Sequence, residues 1–301
     1  MVSIQDAVVN DALTLAEFIE HVETKVDVDD YDSVVENAWA LRALANDRDF
    51  VLRGYHEELK RHWQAEAANV QSSQTTRLGA GKGFYVRSNV WLPIAEGAHA
   101  AFERQLYSYD LAHDHNFDFV TVGYFGSGYD TDLYSYDYDA VDGFVGEHVD
   151  LEDHGTHKLH PGRVMVYRGG RDIHVQRTPP DVSVSLNLLC TSRRMHKTQQ
   201  YLFDVTNRTI VNGAGDLCSM RMFVLEILRH VNDQNTIDVL SNFAEKHPSD
   251  RSRAYALNVL RDLDADEADR LSCRLPTDVV RLSAKTLVNG AGSRDYSRTA
   301  A

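Results

Sequence analysis

The fold is indicated by two segments of the chain, HDHNFDFVTVGYF at residues 113–125 and HPGRVMVYRGGRDIH at residues 160–174. In the first segment, His113 and His115 stand two positions apart at the start of an alternating apolar run. Residues two apart on a β-strand point to the same face, so both imidazoles are predicted to converge on one point. In the second segment, a short apolar strand enters a Gly-Gly turn that leads to His174. The two segments therefore predict β-strands that carry three histidines.

Strand-like runs continue on both sides of these segments, from about residue 84 to residue 189. They are rich in β-branched and aromatic residues, and they are separated by Gly, Asp and Pro. Such a series of short strands predicts an antiparallel sandwich or barrel. The runs outside the two quoted segments are FYVRSNVWL (84–92), DLYSYDY (132–138) and VSVSLNLL (182–189).

Helical periodicity marks the chain before and after the strands. Capping-box patterns and an amphipathic stripe predict helices near the N-terminus, and a Ser-, Thr- and Gly-rich stretch at residues 72–83 predicts a linker. The boxes are Thr14 with Glu17 and Ser33 with Glu36, and the stripe runs from Val51 to Trp63. After the strands, a 3.6-residue period runs from Leu217 to Val231, and further segments begin near Thr236, Asp250, Asp264 and Asp278.

These zones predict an α+β protein in three parts. An N-terminal helical region (1–76) precedes a central β-barrel (77–204), and a C-terminal helical region (205–301) follows it. The last region is compatible with a short HEAT-like stack or with a plain helical bundle that packs on the barrel.

The composition of the 301-residue chain excludes several classes of protein. A formal net charge of −14 disfavours nucleic acid as a partner, because phosphate binding needs clustered Lys and Arg. The chain has no run of about 18 apolar residues that would span a membrane, and its start lacks the pattern of a signal peptide. Three cysteines without a Cys-x-x-Cys motif suggest a reducing compartment. We therefore expect a cytoplasmic protein without nucleic-acid or membrane partners.

The two quoted segments resemble the two cupin motifs. The second differs from its motif in having Arg168 where proline is common, and in one extra residue before His174. The glutamate that many cupins place after the first pair of histidines is absent, since Val120 lies in that neighbourhood. Asp118 is the nearest acid, but on a regular strand it would point to the opposite face and would need a bulge to bind metal. The resemblance thus implies a cupin-type double-stranded β-helix with a metal held by His113, His115 and His174.

A three-histidine cupin with an HDH pair is similar to the cysteine (thiol) dioxygenase family, over about Tyr85 to Leu189. FYVRSNV resembles that family's Tyr-x-Arg strand, whose arginine binds the substrate carboxylate, and this assigns Tyr85 and Arg87 to substrate. VSVSLNLL resembles its Ser-x-His-x-Tyr strand, but here Ser185, Asn187 and Leu189 occupy those positions. The family's histidine and tyrosine are therefore missing, and so is its cysteine near the HDH pair.

The resemblance implies a mononuclear non-haem Fe(II) dioxygenase, an oxidoreductase that acts on a small carboxylate-bearing substrate, with an amino acid as one candidate. Imidazole binds several transition metals, so Zn, Ni or Mn is not excluded. Three neutral histidines leave open positions for a chelating substrate and for dioxygen. Arg87 and Tyr85 would anchor the substrate, and Ser185 and Asn187 would form outer-sphere hydrogen bonds.

Other interpretations stay open at this stage. The same barrel could be a metal-dependent isomerase or lyase, or a non-catalytic binding protein, and the helical regions could form a homodimer. A 2-oxoglutarate oxygenase could use His148 and Asp150 with His174, although too few residues separate them for that fold. The segment HVDLEDHGTHKLH (148–160) could form a second metal site, but its polarity predicts an exposed loop.

Overall fold

The strands of the barrel belong to two antiparallel six-stranded sheets. The protein is represented by a computed structural model, which describes residues 1–63, 72, 74–191, 193–214 and 217–290. Its strands are Ser3–Gln5 (β1), Thr75–Gly81 (β2), Phe84–Trp91 (β3), Ala112–His113 (β4), Phe119–Phe125 (β5), Tyr129–Ser135 (β6), Glu152–Leu159 (β7), Val164–Tyr167 (β8), Asp172–Gln176 (β9), Ser183–Cys190 (β10), Tyr201–Asp204 (β11) and Thr209–Gly213 (β12). The first sheet has the order β1-β8-β5-β10-β3-β2, and the second has the order β12-β11-β4-β9-β6-β7.

Strands β3 to β10 form a nest of antiparallel pairs. Strand β6 pairs with β7, β5 with β8, β4 with β9, and β3 with β10. Successive pairs of the nest alternate between the two sheets, and the pairs β5–β10 and β6–β9 complete each sheet. An eight-stranded double sheet of this kind is a jelly roll, the architecture of cupins. The α+β class predicted from the sequence is confirmed, and the strand order is cupin-like.

The α-helices of the described chain lie before and after this nest, apart from one short α-helix between β3 and β4. They are Leu15–Lys25 (α1), Tyr31–Glu36 (α2), Trp39–Leu44 (α3), Phe50–Trp63 (α4), Ala100–Leu106 (α5), Leu217–Leu228 (α6), Gln234–Lys246 (α7), Asp250–Leu263 (α8), Ala265–Ser272 (α9) and Thr277–Gly290 (α10). Among the described residues, no helix has both the length and the apolar character needed to cross a bilayer.

Three apolar clusters surround the strands and separate their faces. One joins α1, α3 and α4 to the outer face of the first sheet, through residues such as Val86, Val122 and Leu186. A second lies on the outer face of the other sheet, including its strands β11 and β12, and contains apolar residues of the segment before β7. The third fills the space between the sheets. It consists of side chains at every second position along the strands, such as Phe119 and Tyr129. The alternation of side chains therefore assigns each strand residue to the outside or to the interior of the barrel.

Two predictions at the N-terminus are corrected by the structure. Thr14 caps α1 in the predicted box with Glu17, but the second box is wrong, because Asp30 caps α2 and Ser33 lies inside that helix. The predicted linker is also wrong where it is described, since β2 pairs with β3 along the edge of the first sheet. A strand at the edge of a sheet can be rich in Gly and Thr because only one side of it pairs.

The chain divides into two compact units, one formed by residues 1–195 with 200–212, and one that contains residues 196–199 and α6 to α10. In the second unit, α8 contacts each of the other four helices and supplies much of the buried core. Among the described residues of this unit, the structure does not show a HEAT-like repeat. The division into three regions at residues 76 and 204 stays a prediction. Cys190 and Cys273 carry free thiols, while the side chain of Cys218 lies outside the described residues.

Candidate metal centre

The three predicted histidines come together inside the barrel. His113 on β4 is the cross-strand partner of His174 on β9, and His115 follows in the segment that leads to β5. One ring nitrogen from each histidine lies within 4.8 Å of the others. The two Nε2 atoms of His113 and His174 are 3.0 Å apart. Among the described residues, this is the group of His, Cys, Asp and Glu side chains whose spacing fits one metal ion.

His113 and His115 do not share one regular strand, which corrects the prediction. Strand β4 ends at His113 in the second sheet, and β5 begins at Phe119 in the first sheet, so the chain crosses the barrel between them. Asp114 fixes this crossing from the outer side, where it is fully buried. Its carboxylate accepts hydrogen bonds from the Tyr136 hydroxyl and the Tyr201 amide, each at 2.6 Å.

Asp118 lies in the same crossing segment, and its carboxylate has a structural partner. Its carboxylate accepts a hydrogen bond from the Gly169 amide at 2.7 Å, and it is not part of the histidine group. The Gly170 amide donates to the carbonyl of His115 at 2.6 Å. The Gly-Gly turn before His174 therefore holds the HDH segment in place, and the Asp118 carboxylate is bound to that turn rather than to a metal.

Hydrogen bonds at Nδ1 orient the rings of His113 and His115. Nδ1 of His113 donates to the Leu111 carbonyl at 2.9 Å, and Nδ1 of His115 donates to Oε1 of Gln200 at 2.8 Å. With the proton on Nδ1, each neutral ring presents a lone pair on Nε2, as a metal ligand requires. The amide of Gln176 lies 2.8 Å from Nδ1 of His174. Its nitrogen also lies 3.4 Å from Nε2 of His174, so Gln176 contacts both nitrogens of this ring.

Burial keeps the three imidazoles neutral. It lowers the pKa of His113, and it lowers the pKa values of His115 and His174 well below the usual value. The neighbouring imidazoles and the positive charge of Arg87 lower the pKa values of His115 and His174 further. Neutral imidazole is the form that binds metals, so the group is ready to bind at neutral pH.

The spacing of the nitrogens fits a first-row metal ion. Two nitrogens bound to one metal at about 2.0–2.1 Å, with an angle between a right angle and the tetrahedral value, lie about 2.8–3.4 Å apart. The separation of 3.0 Å between Nε2 of His113 and Nε2 of His174 falls in this range. Neutral nitrogen ligands suit Fe, Zn, Cu and Ni better than Mg or Ca.

Arg87 lies in the barrel interior close to this group. It follows Tyr85 on the inner face of β3, and its cross-strand neighbour on β10 is Asn187. Its Nε is buried without a hydrogen-bond partner, and no described side chain forms an ion pair with it. Burial lowers the pKa of the guanidinium, yet the group stays charged, since its ordinary pKa is far above neutral. The side chain is partly exposed, but a largely buried cation without a counter-ion is still costly, so this position is suited to an anionic ligand.

The other predicted site residues share this interior surface. Tyr85 has the guanidinium of Arg77 over its ring, 5.6 Å from the centroid. Asn187 is buried, and its Nδ2 has no hydrogen-bond partner. Ser185 lies one residue pair further along β10, where its hydroxyl accepts a hydrogen bond from Nε1 of Trp91 at 3.0 Å. The roles of these residues toward a substrate stay predictions.

Two sets of predicted alternatives are not brought to the histidine group. The Asp150 side chain is fully exposed, and its Oδ1 lies 3.7 Å from Nη1 of Arg208. The backbone of His148 forms an isolated antiparallel β-bridge with Thr209 on the outside of the barrel. Neither is part of the group with His174. The predicted loop at residues 148–160 is largely wrong, because Glu152–Leu159 forms β7.

Sequence reasoning missed the two glutamines beside the imidazoles. Gln176 stands two positions after His174 on the same strand face, so the spacing alone could have identified it. Gln200 follows the barrel strands in a segment without periodicity, and no pattern in the sequence points to it.

The chain shows distant similarity to several solved structures. No protein-family model and no curated protein matches the chain. The DMSP lyase DddQ from Ruegeria pomeroyi DSS-3 aligns at 12% identity over 42% of this chain and 49% of its own, with a TM-score of 0.27. Salicylate 1,2-dioxygenase from Pseudaminobacter salicylatoxidans aligns at 12% identity over 47% of this chain and 33% of its own, with a TM-score of 0.26.

A hydroquinone 1,2-dioxygenase from Sphingomonas sp. TTNP3 also aligns, at 12% identity over 41% of this chain and 69% of its own, with a TM-score of 0.26. The chain thus spans about half of the lyase and a third of the salicylate dioxygenase. At TM-scores this low, the assignment of the fold rests on the strand order, and the resemblance to thiol dioxygenases stays a prediction.

Proposed function

We propose that the protein is a mononuclear non-haem Fe(II) oxygenase of small carboxylate-bearing molecules. His113, His115 and His174 would hold the metal, and Arg87 would bind the carboxylate. The observation that carries the proposal is the pairing of two features inside one barrel. A neutral three-histidine group lies close to Arg87, whose side chain is partly exposed and whose buried Nε has no hydrogen-bond partner among the described residues.

The charges of the site favour an anion. Three neutral ligands leave the full charge of a divalent ion uncompensated, and Arg87 adds a further positive charge nearby. Its charge is felt at the histidines, since it contributes to the lowered pKa values of His115 and His174. A guanidinium can bind a carboxylate through two parallel hydrogen bonds, which fixes orientation as well as affinity.

The surrounding residues would position the substrate and keep water out. When bound, the iron would supply open coordination positions at which substrate and dioxygen meet. Phe119 and Tyr167 stack at 4.4 Å and face the His174 ring, so one wall of the site is aromatic. Tyr85 and Asn187 flank Arg87 on the same surface, where they would contact the bound acid.

The first test is the metal content of the full chain, purified without added metal. We expect near-stoichiometric iron in the wild type and its loss in His174→Ala, with the fold retained by circular dichroism. His99→Ala is the matched control, because His99 is exposed and its side chain caps nothing. The iron protein is then screened for oxygen uptake with small carboxylic acids, and Arg87→Met should raise KM for any acid that is consumed.

Three results would overturn the proposal. Full metal content in His174→Ala would remove the assignment of the ligands. Stoichiometric zinc, nickel or manganese without oxygen uptake would favour a metal-dependent isomerase or lyase on the same barrel. A chain that binds no metal after anaerobic addition of Fe(II) would favour a binding protein instead.

A further inference from the structure

Arg77 and Arg87 are the only charged residues in the strands of the first sheet. All six strands lie within the described residues, and they contain no Asp, Glu or Lys. The two arginines are direct cross-strand partners on β2 and β3, so their side chains project from the same face of the sheet. Like charges placed opposite each other destabilise a sheet, so this pair costs stability unless an anion offsets its charge.

The face that carries the arginine pair is the interior face of the barrel. Tyr85 lies two positions before Arg87 on β3 and packs against the apolar cluster between the sheets. Cζ of Arg77 lies over the Tyr85 ring, 5.6 Å from its centroid, in the geometry of a cation–π contact. Tyr85 belongs to the row of the sheet that contains Phe119, whose ring faces His174. Arg77 therefore leans toward the histidine end of the interior.

Neither guanidinium has a counter-ion in the part of the chain that the structure describes. No ion pair includes Arg77 or Arg87, and Nε of Arg87 has no hydrogen-bond partner. Asp172 shares a strand with His174, but its carboxylate accepts a hydrogen bond from the Arg168 amide at 2.8 Å. Because the three histidines are neutral, a divalent metal would add two further positive charges to the same interior.

The two arginines differ in their access to solvent. Arg87 is partly exposed, whereas Arg77 is exposed on β2, an edge strand of the sheet. A ligand that contacts both guanidiniums would therefore place one anionic group in the interior and the other at the open edge of the sheet. Water solvates Arg77 in the free protein, so less affinity is gained there than at Arg87.

We propose that the site takes a small dicarboxylic acid rather than a monocarboxylic acid. One carboxylate binds Arg87 and the second binds Arg77, each through hydrogen bonds from a guanidinium. This specificity rests on the proposed function, and it adds Arg77 to the residues that select the substrate.

Anaerobic calorimetric titration of the full chain loaded with Fe(II) tests the specificity without turnover. Malonate, succinate, glutarate and adipate are each compared at neutral pH with their monomethyl ester, which has nearly the same shape but a single negative charge. At one chain length or more, we expect the diacid to bind about fivefold tighter than its ester, or more, at low salt. The ratio should become smaller at high salt, because salt screens the charge of an exposed arginine.

Two variants separate a specific contact of Arg77 from a general effect of positive charge. Arg77→Met should remove the preference for the diacid while leaving the affinity for the monomethyl ester largely unchanged. A merely structural role of Arg77 would weaken both ligands alike. Lys82→Met is the matched control, because Lys82 is an exposed cation in the turn between β2 and β3, and it should leave the preference intact.

Each other outcome overturns the specificity. Equal binding of every diacid and its ester would refute it, as would no binding of any acid in the series. A preference that Arg77→Met retains, or that Lys82→Met also removes, would show that Arg77 does not hold the second carboxylate. A chain that holds iron and consumes oxygen with monocarboxylic acids alone would keep the proposed function and lose this specificity. Preferred binding of diacids without iron retention or oxygen uptake would do the reverse.

Discussion

Replacement of Arg87 by methionine should make the ligand-free protein more stable while it removes acid binding. The Nε of Arg87 is buried without a partner, and leaving a buried polar group unsatisfied costs about 1–3 kcal/mol. Methionine keeps most of the apolar stem without the charge. Because Arg87 is only partly buried, we expect the lower end of that range, a gain of about 1 kcal/mol in the free energy of unfolding.

The same variant should bind carboxylic acids poorly. Hydrogen bonds to charged groups contribute about 1.5–3 kcal/mol. Loss of about 2–3 kcal/mol corresponds to a roughly 30- to 150-fold increase in Kd. Stability and affinity would then change in opposite directions, as expected for a residue retained for binding rather than for folding.

Urea unfolding followed by tryptophan fluorescence measures the stability of the relevant unit. All three tryptophans, Trp39, Trp63 and Trp91, belong to the unit that contains the barrel. Lys82→Met is the control, because Lys82 is exposed in the turn between β2 and β3 and should change stability by less than about 0.5 kcal/mol. If Arg87→Met lowers stability by about 1 kcal/mol or more while the control does not, Arg87 has a structural role and the reasoning is wrong.

Three further predictions concern the histidine group and its supports. Gln200→Leu removes the acceptor of the His115 Nδ1 proton. Metal affinity, measured by competition with a chelator, should therefore fall about 10- to 100-fold. Unchanged affinity would show that this hydrogen bond does not orient the His115 ring. Tyr136→Phe removes a donor from buried Asp114 and should lower the free energy of unfolding by about 1.5–3 kcal/mol, whereas a loss under 0.5 kcal/mol would mean that this bond does not anchor the HDH crossing. In metal-free protein the lowered pKa values of His115 and His174 mean that the unfolded chain binds more protons below about pH 6.5. Stability should therefore fall as pH is lowered through that value, by up to about 1.4 kcal/mol per pH unit for each histidine, and His174→Gln should reduce this slope in urea unfolding at several pH values.

The histidines of the site were predicted from strand alternation and from the resemblance to the cupin motifs. His113 starts an alternating run, His174 ends the segment that resembles the second motif, and the structure brings the two together. Arg87 was predicted from the resemblance to thiol dioxygenases, and its role toward a substrate stays a prediction. The crossing between His113 and Phe119 was not predicted, because the alternation of residues 113–125 continues through it. What bends the chain there is a set of distant contacts, such as those of Asp114 with Tyr136 and Tyr201.

Edge strands account for most of the missed fold. β2 and β7 lie at the ends of their sheets, and most side chains of β7 are exposed. A strand with little buried surface carries no apolar alternation, so its sequence looks like a loop or a linker. Gln200 was missed for a related reason, since one side chain that reaches back from outside the barrel leaves no period in the sequence.

The nested pairing has a consequence for the order in which the chain assembles. The innermost pair joins residues such as Ser135 and Glu152, 17 apart, whereas His113 and His174 are 61 apart and Trp91 and Ser185 are 94 apart. Because the entropy cost of closing a loop rises with its length, pairing is expected to proceed outward from the β6–β7 hairpin. The histidines would then meet before β3 docks on β10, so a nascent chain could capture its metal before the arginine that selects the acid is in place.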